Sequence, residues 1–142
     1  MIFSKQCSES PKLLSPLTLA FIGDGVYELM VRELLVLNAN TSVNNLHKKA
    51  VTMVRASAQS ELYSVLEPIL SEEELSIMKR GRNAHSTKAP QKSNPTEYRR
   101  ATGVEALFGY LYLSGKYDRL NEIFDIAVKE VFEFEDNKIT NQ

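Results

Sequence analysis

Apolar residues recur at helical spacing through most of the chain, and the strict alternation typical of half-buried strands is absent. Ser15 and Pro16 resemble a helix start, in which a capping residue is followed by proline at the first helical position. The apolar-rich segment that follows runs to about Leu37 and stops where residues 38–40 read Asn-Ala-Asn. The pattern therefore predicts a long first helix.

The second and third helices are predicted from their caps. Thr41 and Ser42 cap a predicted second helix, which Pro68 ends. Ser71 and Glu74 have the spacing of a capping box and predict a short third helix that runs into a glycine at position 81. The apolar positions of the second helix follow one another without interruption at helical spacing: Val43, Leu46, Ala50, Val54, Ala58, Leu62 and Val65.

The second half of the chain begins with a predicted loop. Residues 82–95 have no helical periodicity and are rich in Ser, Asn, Lys and Pro. Asn94 and Pro95 predict the start of a fourth helix that ends at Gly115, and a last helix is predicted over residues 117–134. The expected fold class is all-α, a compact multi-helix domain.

The length and composition define one domain. A chain of 142 residues with 43% hydrophobic and 25% charged residues can bury one sizeable core. We expect an N-terminal extension over 1–13, the domain proper over 14–134 and a polar tail over 135–142. The single cysteine excludes an internal disulfide framework, and no segment resembles a secretory leader or a membrane span. These features favour a cytoplasmic protein with no membrane partner.

Charge is unevenly distributed along the chain. The formal net charge is −1, but the segment from 79 to 100 carries seven basic residues and one acidic residue. One basic segment on an acidic body is typical of a local contact with phosphates, although a solvated loop has the same composition. The basic residues are Lys79, Arg80, Arg82, Lys88, Lys92, Arg99 and Arg100.

Two carboxylates occupy apolar helical surroundings. Asp24 lies between two glycines, with Phe21 and Tyr27 among its helical neighbours, and Glu105 has Phe108 and Tyr112 on its own side. An ionised carboxylate in such a setting is unfavourable unless it is paired or binds a metal. Two such acids suit a hard cation held by oxygen ligands, and Mg²⁺ needs only one or two protein carboxylates. The alternative is that each acid caps a helix or pairs with a buried arginine.

Two segments resemble the ribonuclease III family. Residues 19–26, Leu-Ala-Phe-Ile-Gly-Asp-Gly-Val, resemble its signature helix, and residues 104–113, Val-Glu-Ala-Leu-Phe-Gly-Tyr-Leu-Tyr-Leu, resemble its second metal-binding helix. The resemblance covers about residues 14–131. Ala20 and Thr102 stand where the family has two further acids, so a cluster of four carboxylates becomes a pair. With Arg-Gly-Arg-Asn-Ala at 80–84 and no double-stranded-RNA-binding domain following, the chain is similar to the Mini-ribonuclease III subgroup.

The resemblance implies a function. It predicts a Mg²⁺-dependent endoribonuclease that acts as a homodimer on double-stranded RNA, leaves 5′-phosphate ends and matures precursor 23S ribosomal RNA. Asp24 and Glu105 are the implied catalytic and metal-binding residues, and Phe21 matches a position that packs against the partner subunit. Whether a ribosomal protein assists the enzyme is left open. The predicted RNA contacts are Arg80, Arg82, Asn83, His85, Lys88, Lys92, Arg99 and Arg100.

Two other classes of protein fit the sequence. A non-catalytic ribonuclease III fold that binds RNA or ribosomes is favoured by the missing acids at positions 20 and 102. A helical protein-interaction module, with both acids in buried pairs, is the second alternative.

Overall fold

The protein is built from six α-helices in the residues that the structure, a computed structural model, describes: 10–38, 40–84 and 94–132. Single 3-10 turns at Pro11–Leu13 and Glu67–Ile69 accompany them, and these residues contain no strand, which confirms the all-α class. None of the helices in these ranges is both long and apolar enough to cross a membrane. The helices are α1 (Pro16–Asn38), α2 (Val43–Val54), α3 (Ala56–Leu66), α4 (Glu72–Asn83), α5 (Pro95–Leu113) and α6 (Tyr117–Val131).

Helix α5 is the centre of the fold. It packs mainly against α1, α4 and α3, and most of its residues from Ala101 to Leu111 are buried. At its middle, Phe108 meets the ring of Tyr27 from α1 edge to face, with 5.4 Å between ring centroids. Phe124 from α6 completes the aromatic cluster at 6.0 and 6.4 Å from the same two rings. Burial of these large side chains supplies much of the driving force for folding.

Helices α1 and α5 touch through their backbones. A Cβ atom placed on Gly23 of α1 would lie 1.6 Å from the carbonyl oxygen of Glu105. In the same way, a Cβ atom on Gly109 of α5 would lie 2.0 Å from the carbonyl oxygen of Leu19. No side chain fits between atoms at these distances. The two glycines therefore fix the approach of α1 to α5.

The prediction of one helix from residue 43 to Pro68 is wrong, because the helix breaks at Arg55. This residue has extended backbone, with φ −65° and ψ 155°, so the carbonyls just before it lose their helical partners. The Tyr27 hydroxyl donates to the Met53 carbonyl oxygen at 2.6 Å, and Nε2 of Gln59 donates to the carbonyl oxygen of residue 54 at 2.8 Å. These side-chain donors stabilise the break. The spacing of apolar residues does not reveal such hydrogen bonds, so the break was not predicted.

The predicted helix starts are confirmed at α1, α4 and α5. Ser71 and Glu74 form the capping box, and the Asn94 side chain accepts hydrogen bonds from the first turn of α5. The ends differ by a few residues, since α4 continues to Asn83 and α6 ends at Val131. Residues 85–93 of the predicted loop, residues 1–9 of the predicted extension over 1–13 and the predicted tail lie outside the described residues.

The glycine contact yields a matched pair of substitutions on α1. Gly23→Ala is expected to lower the free energy of unfolding by more than about 3 kcal/mol, because the new methyl group would collide with the α5 backbone. Gly25→Ala has no atom within 4 Å of the new Cβ and is expected to raise stability by about 0.5–1 kcal/mol. Urea unfolding followed by circular dichroism measures both. Equal stabilities for the two variants would contradict the role given to Gly23.

Candidate functional site

The structure brings the two predicted carboxylates together. Asp24 directly follows Gly23, whose backbone faces that of Glu105, so the close approach of α1 and α5 aligns the two side chains. Their carboxyl groups come within hydrogen-bonding range of each other. Burial, and next the adjacent Asp24 carboxyl, raise the pKa of Glu105 to about 8. The pair is thus two carboxyl groups side by side that form no salt bridge in the described part of the chain.

The two acids differ in their surroundings. The expectation that both are embedded among apolar groups holds for Glu105, which is half-buried, and is wrong for Asp24, which is exposed. Its helical neighbour Phe21 is also at the surface, with 85% of its area exposed. The side of α1 that carries Asp24 therefore faces away from the core of the single chain.

The pair has the chemistry of a small divalent-cation site. The described residues contain no cluster of three or more His, Cys, Asp or Glu side chains, so two carboxylates are what the protein offers there. Ala20 and Thr102 are both buried, and the Thr102 hydroxyl donates to the Tyr98 carbonyl oxygen of its own helix at 3.0 Å. Two carboxylates that repel each other fit a hard cation such as Mg²⁺, which completes its shell with water and substrate oxygens.

Gln59 is a neighbour of Glu105 that the sequence analysis missed. It lies on α3, is 3% exposed, and forms a side-chain hydrogen bond with Glu105 that lowers the pKa of the carboxyl group. The sequence predicted one uninterrupted second helix, and the apolar face of that helix did not include Gln59. The break at Arg55 turns α3 so that Gln59 faces inward.

A basic pocket is lined by residues of α3, α4 and α5. It is open to solvent, with a volume of about 620 Å³. Four of the eight predicted RNA contacts line it, together with an acid, a threonine and a buried tyrosine that the sequence analysis did not single out. The lining residues are Tyr63, Glu67, Arg82, Asn83, Thr96, Arg99 and Arg100.

Tyr63 organises the cations of the basic pocket. Arg100 lies over its ring at 4.8 Å from the centroid, and Arg82 lies at 5.8 Å while donating to the Tyr63 hydroxyl at 2.9 Å. Such contacts hold guanidinium groups in place while leaving donors free for an anion. Arg80 is not part of this arrangement, since it donates to the Lys12 carbonyl oxygen at 3.0 Å. The predicted contacts His85, Lys88 and Lys92 lie outside the described residues.

The basic pocket and the carboxylate pair share helix α5, and α3 carries both Tyr63 of the pocket and Gln59, the neighbour of Glu105. Gln59 and Tyr63 are one turn apart on α3, about 6 Å along its axis. On α5, Arg100 and Glu105 are five residues apart, about 7.5 Å along the axis. Both helices therefore lead from the basic pocket to the Glu105 side of the site.

An apolar groove lies between α1 and α6 on the side of α1 that carries Phe21. The α1–α6 groove has a volume of about 640 Å³ and is lined mainly by apolar side chains. Exposed apolar side chains continue along α1. Besides Phe21, they include Leu29, Val36 and Leu37.

Comparison with known proteins identifies the class. A family model described as Ribonuclease III domain matches residues 17–116. A Mini-ribonuclease 3 of a Thermoanaerobacter species is 48% identical over 120 residues, which cover 84% of each chain. A Mini-ribonuclease 3 of Symbiobacterium thermophilum is 46% identical over 83% of this chain and 91% of its own. A crystal structure of a protein from Fusobacterium nucleatum aligns with a TM-score of 0.76 at 32% identity, covering 87% of this chain and 98% of that one.

The chain therefore belongs to the ribonuclease III family, within its Mini-ribonuclease III group. It is an endoribonuclease of that type. The resemblance found in the two carboxylate segments is confirmed, and so is the ribonuclease III fold expected with it.

The carboxylate pair generates a prediction about pH. The pKa of Glu105, about 8, lies above the ordinary value of 4.5, so between these values the folded protein holds a proton that the unfolded chain has released. Glu105 therefore lowers the free energy of unfolding as pH rises from about 4.5 to about 8. Asp24→Asn removes the neighbouring negative charge and is expected to lower the pKa of Glu105 and reduce this loss, by about 1 kcal/mol for each unit of pKa.

The measurement is a ¹³C NMR titration of the Glu105 carboxyl group in metal-free protein, with urea unfolding at pH 5 and pH 8. Glu105 remains buried in Asp24→Asn, so the pKa of its carboxyl group is expected to remain above 4.5. An unchanged pKa in Asp24→Asn would show that the two carboxyl groups do not interact.

Proposed function

We propose that this endoribonuclease hydrolyses double-stranded RNA at Asp24 and Glu105 with Mg²⁺ as its cofactor. The observation that carries the proposal is the pair itself, two carboxyl groups within hydrogen-bonding range that form no salt bridge in the described residues. When bound, the ion supplies Lewis-acid activation and neutralises charge at the phosphate. Asp24, exposed on α1, contributes a ligand from the solvent side, and half-buried Glu105 contributes one from α5.

The basic pocket is the proposed docking site for the RNA backbone. Duplex RNA offers phosphates and 2′-hydroxyl groups across a shallow minor groove, and its base edges are poorly accessible. Arg82, Arg99 and Arg100 provide positive charge for phosphates, while Asn83 suits a hydroxyl group. Arg100 of the pocket and Glu105 lie on the same helix, so an RNA backbone held in the pocket is proposed to continue towards the two acids. His85, Lys88 and Lys92 are proposed to extend this surface.

A homodimer is proposed through α1. Phe21 is almost fully exposed, and large exposed apolar surfaces on a small protein mark interaction sites. A two-fold interface presents the same patch from both copies, so Phe21 of each subunit is available to the other subunit's α1–α6 groove.

The proposed catalytic domain spans residues 14–134.

The proposed substrate is precursor 23S ribosomal RNA in the cytoplasm. The support is the group to which the chain belongs, since its relatives in Thermoanaerobacter and Symbiobacterium thermophilum are named Mini-ribonuclease 3. The residues of the site fit the backbone of any RNA duplex. The substrate therefore has to be tested with RNA rather than inferred from geometry.

Asp24→Ala is expected to reduce cleavage of a labelled precursor 23S stem at least 1000-fold, because one of two cation ligands is lost (a loss of roughly 4 kcal/mol). Glu130→Ala, which removes an exposed acid from the end of α6, is the control and is expected to cleave like the wild type. Gel assays with Mg²⁺ and with EDTA measure both. Cleavage retained in Asp24→Ala would refute the assignment, and RNA bound but uncut by the wild type would favour a non-catalytic binding protein.

Substitutions of Arg100 and Arg80 distinguish RNA binding in the basic pocket from a general effect of positive charge. Arg100→Ala removes a cation of the basic pocket and is expected to weaken duplex binding about tenfold and to lower the salt dependence by about one released ion. Arg80→Ala removes the same charge outside the pocket and is expected to have a smaller effect. Fluorescence anisotropy over a salt series gives both slopes. Equal losses would mean that the basic segment acts through its total charge.

Phe21→Ala is expected to convert the dimer to a monomer, or to weaken it at least tenfold, since a large apolar contact is removed from each side of the interface. Val43→Ala on α2, an equally exposed apolar position, is expected to leave the dimer intact. Sedimentation velocity over a concentration series measures both. A wild-type protein that sediments as a monomer would refute the proposed assembly.

A further inference from the structure

Gln59 is a buried polar side chain whose hydrogen bonding is incomplete. It is 3% exposed, and its Nε2 donates to the Val54 carbonyl oxygen at 2.8 Å, at the break between α2 and α3. Its Oε1 is buried without a hydrogen-bond partner among the described residues. A buried amide oxygen left in this way is unfavourable, and an apolar side chain of similar length would fill the same space without that penalty.

The same amide group contacts Glu105. An amide nitrogen carries two hydrogens, so Nε2 can donate to the Val54 carbonyl and also to the Glu105 carboxylate. The first bond fixes the amide against the backbone of the break. A second bond from the same nitrogen to Glu105 ties that carboxylate to the backbone of the break through a single amide group.

Rigid hydrogen bonding is what a metal-binding carboxylate needs from its surroundings. Partners of metal ligands orient them, and removing such a partner weakens metal binding by about 10- to 100-fold. Glu105 is the half-buried member of the pair, and Gln59 approaches it from α3 while Asp24 approaches it from α1. Gln59 thus lies where it can orient the Glu105 side chain without occupying the side open to Asp24.

We propose that Gln59 is a positioning residue, which acts through Glu105 to hold the carboxylate in the orientation in which it binds a divalent cation together with Asp24. The inference rests on the proposed function, since it requires the Asp24–Glu105 metal site. It explains why a polar side chain with an unpartnered oxygen occupies a buried position on α3.

The test measures metal binding without RNA. The probe is Mn²⁺, a divalent cation of oxygen-ligand sites, titrated into the protein and followed by electron paramagnetic resonance. Gln59→Met keeps an unbranched side chain of similar length and removes the amide, so Mn²⁺ binding is expected to weaken at least tenfold. In cleavage assays the Mg²⁺ concentration for half-maximal rate is expected to rise by a similar factor.

Tyr27→Phe is the matched control. It removes the hydrogen bond to the Met53 carbonyl oxygen at the same helix end and leaves the Gln59 amide in place. If Gln59 serves only to stabilise the break, both variants lose stability, and their Mn²⁺ affinities do not differ from each other. The proposal requires normal Mn²⁺ affinity in Tyr27→Phe and weakened affinity in Gln59→Met. Wild-type affinity in Gln59→Met, or the same loss in both variants, overturns it.

Two further variants keep the result decisive. If Gln59→Met does not fold, Gln59→Asn, which keeps the amide on a side chain shorter by one methylene, replaces it with the same expectation. Asp24→Ala separates the two hypotheses. Mn²⁺ binding lost in Asp24→Ala but unchanged at Gln59 overturns the positioning role alone, whereas equal binding by wild type and Asp24→Ala overturns the metal site as well.

Discussion

The backbone contact between α1 and α5 is the constraint on which the site depends. Gly23 and Gly109 allow the two helices to approach until no Cβ atom fits between them. A wider separation would place larger side chains between the helices and move Asp24 away from Glu105. The same approach brings Tyr27 of α1 onto Phe108 of α5, so the hydrophobic core and the acidic pair depend on one geometry. Burial of the aromatic cluster stabilises the contact, and the contact in turn holds two like charges together.

The acidic pair stores unfavourable electrostatic energy that folding alone does not relieve. Glu105 is half-buried beside another carboxyl group, and both features raise its pKa. A proton on Glu105 relieves the repulsion in the metal-free protein, and a cation would relieve it more completely. Proton and cation therefore compete for the same oxygens. Ala20 and Thr102 offer no carboxylate to the site, so the proposed ion has positions open for water and for phosphate oxygens.

Local signals allowed α1, α4 and α5 to be predicted from the sequence, together with the pairing of Asp24 and Glu105. Proline, capping residues and apolar spacing act over a few residues, and the structure confirms the helix starts that they indicate. The break at Arg55 was not predictable in this way, because the donors that stabilise it include Tyr27, 26 residues away from the carbonyl it contacts. Gln59 and Tyr63 were missed for the same reason. Their roles come from which way α3 faces, and that direction is set by the break.

Helix α3 thus links the two halves of the site. One turn of it carries Gln59 against Glu105 and Tyr63 beneath the arginines of the basic pocket. A shift of α3 would disturb the carboxylate and the cations together, and the hydrogen bond from Gln59 to the Val54 carbonyl oxygen ties this turn of α3 to the α2–α3 break. On the proposed function this arrangement has a consequence for a site with only two carboxylates. RNA phosphates positioned by the pocket would themselves supply the oxygens that the missing acids do not, and metal binding and RNA binding would strengthen each other.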